Sequence, residues 1–306
     1  MKSSLVLCSV TIIVGALCPS TTSAITADEI INGLEQREQS IKTIHGEFDV
    51  WAQIRTNDGN TEEIEKQYEW TKNGNTQKLI TEYKMLPERL KPKEQNNICP
   101  TCPNPMKMHV MANKEIRLFD GQTTQQFLPE SNSAAIFPGD QIFFAGKVPE
   151  DWLMKRIKRK SLSVFLKQQD NFLKYTGDIN LEGQRCHILE FSDHNTYDGK
   201  LYIVDGQKLF TTKFEINIIN HNLPFNTREE DIFSDFKSYG NITLPSKVTV
   251  TVYDVYPEKE QLSMKEIFTV KKLEINGQIT NSDLSMRLPV GTRVHDSVAN
   301  KDFVVH

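Results

Sequence analysis

The feature that most constrains the fold is a long succession of short segments in which apolar and polar residues alternate. The first of these segments puts four apolar side chains on one face of an extended chain: Phe48, Val50, Ala52 and Ile54. Such alternation predicts a half-buried β-strand. Asp-Gly and Asn-Gly pairs at 120–121, 205–206 and 276–277 separate later segments and are strong signals for tight turns.

About eleven such segments between residues 46 and 275 predict an antiparallel meander. The expected protein is mainly β (α+β), with one broad curved sheet or a partial barrel. Strands and helices do not alternate along the chain in the way that a doubly wound α/β fold requires.

Two segments predict helices. In residues 25–44, Thr26 and Glu29 form a capping box, and isoleucine and leucine side chains recur at helical spacing. In residues 149–169, Pro149 lies near the predicted helix N-terminus, and acidic residues follow it in the first turn. We therefore expect an N-terminal helix and a second helix that interrupts the strands in mid-chain.

The first 24 residues have the order of a secretory signal peptide. Lys2 supplies a positive charge, an apolar run extends from Leu5 to Leu17, and small residues precede the predicted cleavage site after Ala24. The apolar run is too short to span a hydrocarbon core. A lipid-modified Cys18 would require a small residue before it, where Leu17 stands. We therefore predict an exported, soluble protein in the periplasm or another extracytoplasmic compartment.

The predicted mature domain, residues 25–306, is nearly neutral. The whole chain has 36 basic and 40 acidic residues and a net charge of −4, with both signs mixed along the sequence. This composition predicts no nucleic-acid partner. After the signal peptide, no segment approaches the roughly 18 apolar residues that suggest a membrane span.

A proline-rich loop at 86–111 contains a Cys-x-x-Cys motif at Cys99 and Cys102. A redox catalyst would place the motif at a helix N-terminus, whereas prolines surround this one. A closed zinc site would need a second ligand pair. Copper(I) would suit the nearby methionines with His109, but an extended chain puts these side chains on opposite faces. We therefore predict no metal and a short Cys99–Cys102 disulfide, with Cys186 as a buried thiol on a strand.

The sequence has no recognisable catalytic motif. It contains no Gly-x-Ser-x-Gly elbow and no P-loop, and its seven histidines lack the close spacing of a helical metal motif. The stretches "HGEFD" and "SDHNTYD" carry acid and base side chains, but such clusters are typical of turns and strand ends. We therefore predict a protein that is not an enzyme and has no cofactor.

The order of elements resembles that of the LolA family, the lipoprotein-sorting proteins of the bacterial envelope. "IRLFDGQTTQQFLP" is similar to the family's strand–Asp-Gly–strand segment. "LSMRLPVGTRVHDS" is similar to its closing stretch, with matches at Pro289, Gly291, Val294 and Asp296. The resemblance covers most of residues 26–298. It implies an unclosed half-barrel of about eleven strands around a hydrophobic cavity, with helices as a lid, in which the family holds lipoprotein acyl chains.

Two departures from the family bear on its transport activity. In the carrier, an arginine beside a proline after the second strand helps to latch the lid. Here Lys72 and Asn73 stand in the matching stretch, "YEWTKNGN". The aromatic residues that follow the family's Asp-Gly turn are reduced here to "QQF".

A curved sheet has a concave apolar face, which one helix of modest apolar content cannot fill alone. On it we place residues of the early strands and of the mid-chain helix: Phe48, Val50, Ile54, Tyr68, Trp70, Trp152, Leu153 and Ile157. Two functions stay open. The first is an exported envelope protein that binds a lipid or lipoprotein acyl chain in this cavity. An extended form of this hypothesis is that the protein acts as a carrier of the bound chain. The second is a non-enzymatic scaffold or interaction module whose own side chains fill the same space.

A basic run lies within the predicted mid-chain helix and consists of Lys155, Arg156, Lys158, Arg159 and Lys160. One hypothesis is that these cations dock on an anionic partner, either a membrane surface or an envelope protein. The alternative is a solvated helix face, which is the commoner role of such a run.

Overall fold

The computed structural model describes residues 25–56, 58–87, 112–141, 143–144, 147–169, 172–193, 195–205 and 209–306. The predicted signal peptide and the Cys-x-x-Cys motif lie outside the described residues. The cleavage site after Ala24 and the Cys99–Cys102 disulfide therefore stay predictions.

The described chain contains three α-helices and seventeen strands. The helices are α1 (Ala27–Ser40), α2 (Pro149–Leu153) and α3 (Leu162–Lys167). The strands before α2 are β1 (Thr43–Arg55), β2 (Thr61–Asn73), β3 (Thr76–Met85), β4 (Lys114–Phe119), β5 (Thr123–Leu128) and β6 (Ser133–Pro138). Between α2 and α3 lie β7 (Arg156–Ile157) and β8 (Lys160–Ser161). The later strands are β9 (Lys174–Leu181), β10 (Gln184–Ser192), β11 (Tyr197–Val204), β12 (Thr211–Ile218), β13 (Asn226–Tyr239), β14 (Ile242–Val255), β15 (Glu260–Ile275), β16 (Arg293–Asp296) and β17 (Lys301–Val304).

Fifteen strands form one sheet in the order β17-β16-β6-β5-β4-β3-β2-β1-β15-β14-β13-β12-β11-β10-β9. Antiparallel pairing of β1 with β15 joins the first and last long strands of the chain. The parallel pairing of β16 with β6 extends one end of the sheet. The edge strands β9 and β17 are not paired with each other, so the curved sheet is not closed. The predicted mainly β fold with one curved, unclosed sheet is confirmed.

The sheet has more strands than the eleven or so that the alternation predicts. The strands that the pattern does not show are β6, β16 and β17. The last two have only four residues each, and all four side chains of β17 are exposed. In β6 the residues from Ser133 to Phe137 are all partly buried and Pro138 is exposed, so the strand lacks the contrast between two faces that alternation reveals.

The capping box at the start of α1 is confirmed. The backbone N–H of Thr26 donates to Glu29 Oε2 (2.8 Å), and the backbone N–H of Glu29 donates to Thr26 Oγ1 (3.2 Å). The helix ends at Ser40, earlier than predicted, because Ile44 already belongs to β1 and is buried there. Three buried side chains, Ile30, Ile31 and Leu34, attach α1 to the core.

The prediction of one continuous helix over 149–169 is wrong. The segment forms α2, then a β-hairpin whose strands β7 and β8 have two residues each, and then α3. The hairpin turn consists of Lys158 and Arg159, which both have left-handed backbone angles (φ 51° and 65°), as a type I′ turn requires. The sequence lacks the Asn-Gly or Asp-Gly pair that normally indicates such a turn.

The core lies between one face of the sheet, here called the inner face, and the three helices. On β1 the inner face carries Ile44, Phe48, Val50 and Ala52, which are all buried. Strand β15 adds Phe268, which lies opposite Val50 and Val248. The predicted phase of the first strand is therefore confirmed.

Candidate functional site

Residues 147–167, here called the lid, cover the middle of the inner face. Within the described residues the lid shares no backbone hydrogen bond with the fifteen-stranded sheet, because β7 and β8 pair only with each other. Helix α2 packs against β14, and α3 packs against α1. Within the described residues, every hydrogen bond between the lid and the sheet or α1 therefore involves a side chain, as when the Ser163 backbone N–H donates to Glu38 Oε1.

The apolar centre of the site is a stack of aromatic rings. The Trp152 indole lies parallel to the Phe268 ring, with centroids 4.9 Å apart. Phe268 in turn stacks on Phe48 at 5.1 Å, and Tyr68 lies 5.9 Å from Trp152. All four side chains are buried. Stacking of this kind stabilises a pair beyond the burial of its area.

A carboxylate, Glu266, lies beside this stack on the inner face of β15. Its Oε1 accepts a hydrogen bond from Trp152 Nε1 (2.9 Å) and an ion-paired hydrogen bond from Lys147 Nζ (3.0 Å). Burial lowers the pKa of Lys147, but Glu266 and more distant carboxylates outweigh burial and raise it, so Lys147 stays charged.

A second ionic cluster lies on β13 beneath the hairpin. Lys155 Nζ donates to Glu229 Oε1 (2.8 Å) and to Asp231 Oδ2 (2.5 Å), and it lies 4.0 Å from the centre of the Phe214 ring. Burial lowers the pKa of Lys155, but Asp231 and Glu229 outweigh burial and raise it, so the ammonium stays charged. Burial raises the pKa of Asp231 against the effect of Lys155, and Glu229 raises it further. Asp231 Oδ1 is buried without a hydrogen-bond partner in the described chain.

Lys72 of β2 contacts the N-terminal turn of α2, because its Nζ lies 2.5 Å from Glu150 Oε1. Arg156 reaches the other oxygen of the same carboxylate at 3.1 Å. Sequence analysis treated Lys72 as a departure from the family's latch arginine. The structure places its ammonium in contact with the lid.

A groove of about 240 Å³ lies between α1 and the lid. Its lining is largely charged or polar and includes Glu35, Glu38, Lys72, Glu150 and Arg156. The volume is below the range of about 300–1,000 Å³ that is common for ligand pockets. The groove is therefore smaller than a common ligand pocket.

The predicted cavity residues are brought together, but as packed neighbours. Seven of them belong to one hydrophobic cluster and are at most 8% exposed: Phe48, Val50, Tyr68, Trp70, Trp152, Leu153 and Ile157. Ile54 is partly exposed near the end of β1. In this structure the predicted lining residues of the strands and of the lid pack against one another.

The basic run divides into two groups. Lys155 is buried in its ionic cluster, and Arg156 is paired with Glu150. Lys158, Arg159 and Lys160 are exposed. The docking hypothesis stays a prediction, and these three exposed cations are the ones that a partner could reach.

Sequence analysis missed the carboxylates of the inner face. The signal that could have revealed them is their phase in the strands. Glu266 alternates in step with Phe268 and Val270, and Asp231 alternates in step with Phe233. An acidic residue at an inner position of a half-buried strand requires a cationic or hydrogen-bonding partner.

A separate polar cluster surrounds His187 on β10. His187 Nδ1 lies 2.7 Å from Asp178 Oδ1, which also accepts a hydrogen bond from the Tyr175 hydroxyl (2.5 Å). His187 Nε2 lies 3.2 Å from Asp205 Oδ1 but without hydrogen-bond geometry. Within the described ranges, no group of three or more His, Cys, Asp or Glu side chains is arranged to hold a metal ion.

Two further predictions concern Cys186 and the membrane. Cys186 is fully buried on β10, as predicted, and burial raises the pKa of its thiol.

In the part of the chain that the structure describes, each helix is too short or too polar to cross a bilayer.

No family model matches the sequence, and no curated protein matches it. Solved structures that match include a DUF1329 family protein from Desulfovibrio piger, which is 11% identical over 84% of this chain and 96% of its own, with a TM-score of 0.47. A domain described as that of an outer membrane lipoprotein-sorting protein from Vibrio parahaemolyticus is 10% identical over 83% and 95%, with a TM-score of 0.46. A LolA superfamily protein from Nitrosomonas europaea is 11% identical over 86% and 99%, with a TM-score of 0.43.

Proposed function

We propose that this chain is an exported envelope protein that binds a lipid or lipoprotein acyl chain on the inner face of its sheet, in the space that the lid now fills. The attachment of the lid is the observation that carries this proposal. Contacts that involve side chains hold it in place, and among the described residues the backbone hydrogen bonds of the fifteen-stranded sheet do not include it. The lid can therefore move while the sheet stays intact.

The energies favour a movement of α2 rather than of the whole lid. Exposing Trp152 and Leu153 costs about 1.5–3 kcal/mol each, or about 3–6 kcal/mol together. Lifting the whole lid would also expose Ile157, Leu162, Phe165 and Leu166, and would raise the cost to about 9–18 kcal/mol. An acyl chain of about 15 methylenes regains about 12 kcal/mol when it is buried. This gain exceeds the apolar cost of moving α2, and the remainder must also compensate the lost contacts with Glu266.

The location of the protein is part of the proposal. The order of charge, apolar run and small residues in residues 1–24 supports export with cleavage after Ala24. An envelope protein with this site would meet acyl chains in membranes and on lipoproteins. Transport of the lipid between membranes would also need one partner that delivers the lipid to this protein and another that receives it.

A scaffold with a self-filled core is the second candidate. It is favoured by the burial of the aromatic stack, since Phe48 and Phe268 are at most 1% exposed and Trp152 is 2% exposed. The two candidates differ in whether the lid opens in the folded protein. Both are compatible with a protein that is not an enzyme.

Native mass spectrometry of protein purified from its own host tests the proposal. We expect a fraction of the protein to carry a lipid, and we expect the delipidated protein to bind N-phenyl-1-naphthylamine, a neutral apolar fluorescent probe. If no lipid co-purifies and the probe does not bind, the acyl-binding function is wrong and the scaffold is the better account.

A further inference from the structure

Three carboxylates lie on the inner face among apolar side chains. Glu266 follows the phase of Phe268 on β15, and Glu229 and Asp231 follow the phase of Phe233 on β13. The side chains of Glu266 and Asp231 are 6% and 4% exposed, and that of Glu229 is 23% exposed. Ionised carboxylates this deep in an apolar surface are strongly destabilising unless a cation or several donors compensate them.

The lid compensates these carboxylates at two separate positions. Lys147 binds Glu266, and Lys155 binds Asp231 and Glu229. Glu266 and Asp231 both lie opposite Val250 on the strand between them. The two positions are therefore two strand spacings apart, or about 10 Å. Each position takes an ammonium group of its own.

Asp231 also has an acceptor that the lid leaves unused. Its Oδ2 binds Lys155, while its buried Oδ1 has no hydrogen-bond partner among the described residues. A buried acceptor without a donor is costly. A donor that reaches Oδ1 while another holds Oδ2, as the spread N–H groups of a guanidinium or a second amine would, satisfies this oxygen.

The part of the lid that covers this surface consists of an apolar ring flanked by two cations: Trp152, Lys147 and Lys155. When α2 moves away together with the residues that flank it, Lys147 and Lys155, all three partners leave the inner face, and the carboxylates need replacements. Resting on the proposed function, we infer that the acyl ligand carries two basic groups beside its chain, as a lipopeptide with lysine or arginine side chains does. In the absence of that ligand, the lid fills the site with the same chemical groups, one apolar group and two cations.

A competition experiment with matched lipopeptides tests this inference on the full-length mature protein. The competitors are three N-palmitoylated tetrapeptide amides that carry two lysines, two glutamines or two glutamates, each used below its micelle concentration. A single-chain phosphatidylethanolamine serves as a lipid with one amine. Each competitor displaces N-phenyl-1-naphthylamine. We expect the lysine peptide to bind at least tenfold more tightly than the glutamate peptide and more tightly than the amine lipid, with a preference that shrinks in about 0.5 M salt.

Two variants assign the preference to the inner face. Glu266→Gln removes one buried carboxylate, and Glu69→Gln removes an exposed carboxylate on β2 as a matched control. Loss of the Glu266 contacts also makes the lid easier to open, which strengthens the binding of every peptide by the same factor. We therefore compare the ratio of the affinities for the lysine and glutamate peptides, because this common factor cancels in the ratio. The ratio should fall several-fold in Glu266→Gln and stay unchanged in Glu69→Gln.

The possible outcomes separate the inference from the function on which it rests. Equal binding of all three peptides would overturn the cationic ligand and leave acyl binding intact. Tighter binding of the amine lipid than of the lysine peptide would overturn the dibasic lipopeptide. An affinity ratio that is the same in Glu266→Gln as in the wild type would overturn the assignment to the inner face. Failure of the probe and of every peptide to bind would remove the proposed function itself.

Discussion

Replacement of Trp152 by alanine distinguishes a lid that opens from a lid that is permanent core. Trp152 is 2% exposed, stacks on Phe268 and donates its indole N–H to Glu266. Truncation of a buried aromatic residue to alanine typically costs about 3–5 kcal/mol. In a protein whose lid opens, this cost falls on the closed form alone.

The expected change in binding follows from the opening energy. With α2 held by about 3–6 kcal/mol of apolar burial, the wild-type lid is open in fewer than about 1% of molecules, since about 1.4 kcal/mol corresponds to a factor of ten. Loss of about 3 kcal/mol from the closed form raises the open fraction by about 100-fold. The apparent affinity for an apolar probe rises by the same factor, because it is proportional to the fraction of competent molecules.

Trp70→Ala is the matched control. Trp70 is also fully buried, and its indole N–H also donates to a side chain, Gln77 Oε1 at 3.2 Å, but it belongs to β2 in the sheet. Its removal should also cost about 3–5 kcal/mol in urea unfolding and should leave no opened lid. Titration of N-phenyl-1-naphthylamine compares the two variants, and unfolding followed by circular dichroism gives their stabilities.

A lid that opens is refuted if Trp152→Ala loses about 3–5 kcal/mol of unfolding free energy while its probe affinity stays within about threefold of the wild type. The same holds if both variants gain affinity equally, because a cavity alone would then explain the binding. Either result would favour the scaffold with a self-filled core. A lower slope of unfolding free energy against urea in Trp152→Ala would support the opened lid, since that slope scales with the surface that unfolding still exposes.

Three further predictions concern the latch, an acidic residue and the cysteines. Lys72→Met removes the ion pair with Glu150, worth up to about 1 kcal/mol, and should tighten probe binding by up to about fivefold; weaker binding would contradict a latch. Burial raises the pKa of Asp178, but hydrogen bonds from its neighbours outweigh burial and lower it from 3.8 to about 2, so its stabilising effect is present above pH 4 and is lost as the pH falls toward 2. Asp178→Asn should therefore be less stable than the wild type at pH 7, with a gap that narrows below pH 4 in urea unfolding; a gap independent of pH would show that the charge does not matter. A thiol assay on the denatured mature protein should detect one free thiol per chain, that of Cys186. In the native protein this thiol should react slowly because it is buried. Three thiols per denatured chain would exclude the disulfide predicted between Cys99 and Cys102.

Local signals in the sequence predicted the sheet and the start of α1 well. The inner face of β1 follows directly from strict alternation, because one face of that strand is buried and the other is not. The capping box of Thr26 and Glu29 is equally local, since both partners lie within one helical turn. Short strands with no buried face, such as β17, carry no such signal and depend on neighbours that are distant in the sequence.

The lid could not be predicted from local signals because distant contacts determine its backbone. The partner of Lys155 is Asp231, 76 residues further along the chain, and no propensity reports such a pair. Three residues of the hairpin region, Lys155, Lys158 and Arg159, have left-handed backbone angles, at a cost of about 1–2 kcal/mol for each residue that is not glycine. The ionic cluster and the burial of Ile157 compensate this cost only while the lid is closed on the inner face.

The sheet and the lid therefore follow different rules, and the difference bears on function. In the sheet, pattern and structure agree, as expected for an element that has one stable arrangement. In the lid, the predicted helix start at Pro149 agrees with α2, but helical spacing and turn chemistry after Leu153 conflict with the observed backbone. Contacts to Glu266 and Asp231 decide the conformation there. Conflicts of this kind are typical of functional or strained sites, where a second arrangement is close in energy. A ligand that supplies an apolar chain and two cations would replace those same contacts, and the conformation of the lid would then depend on whether that ligand is bound.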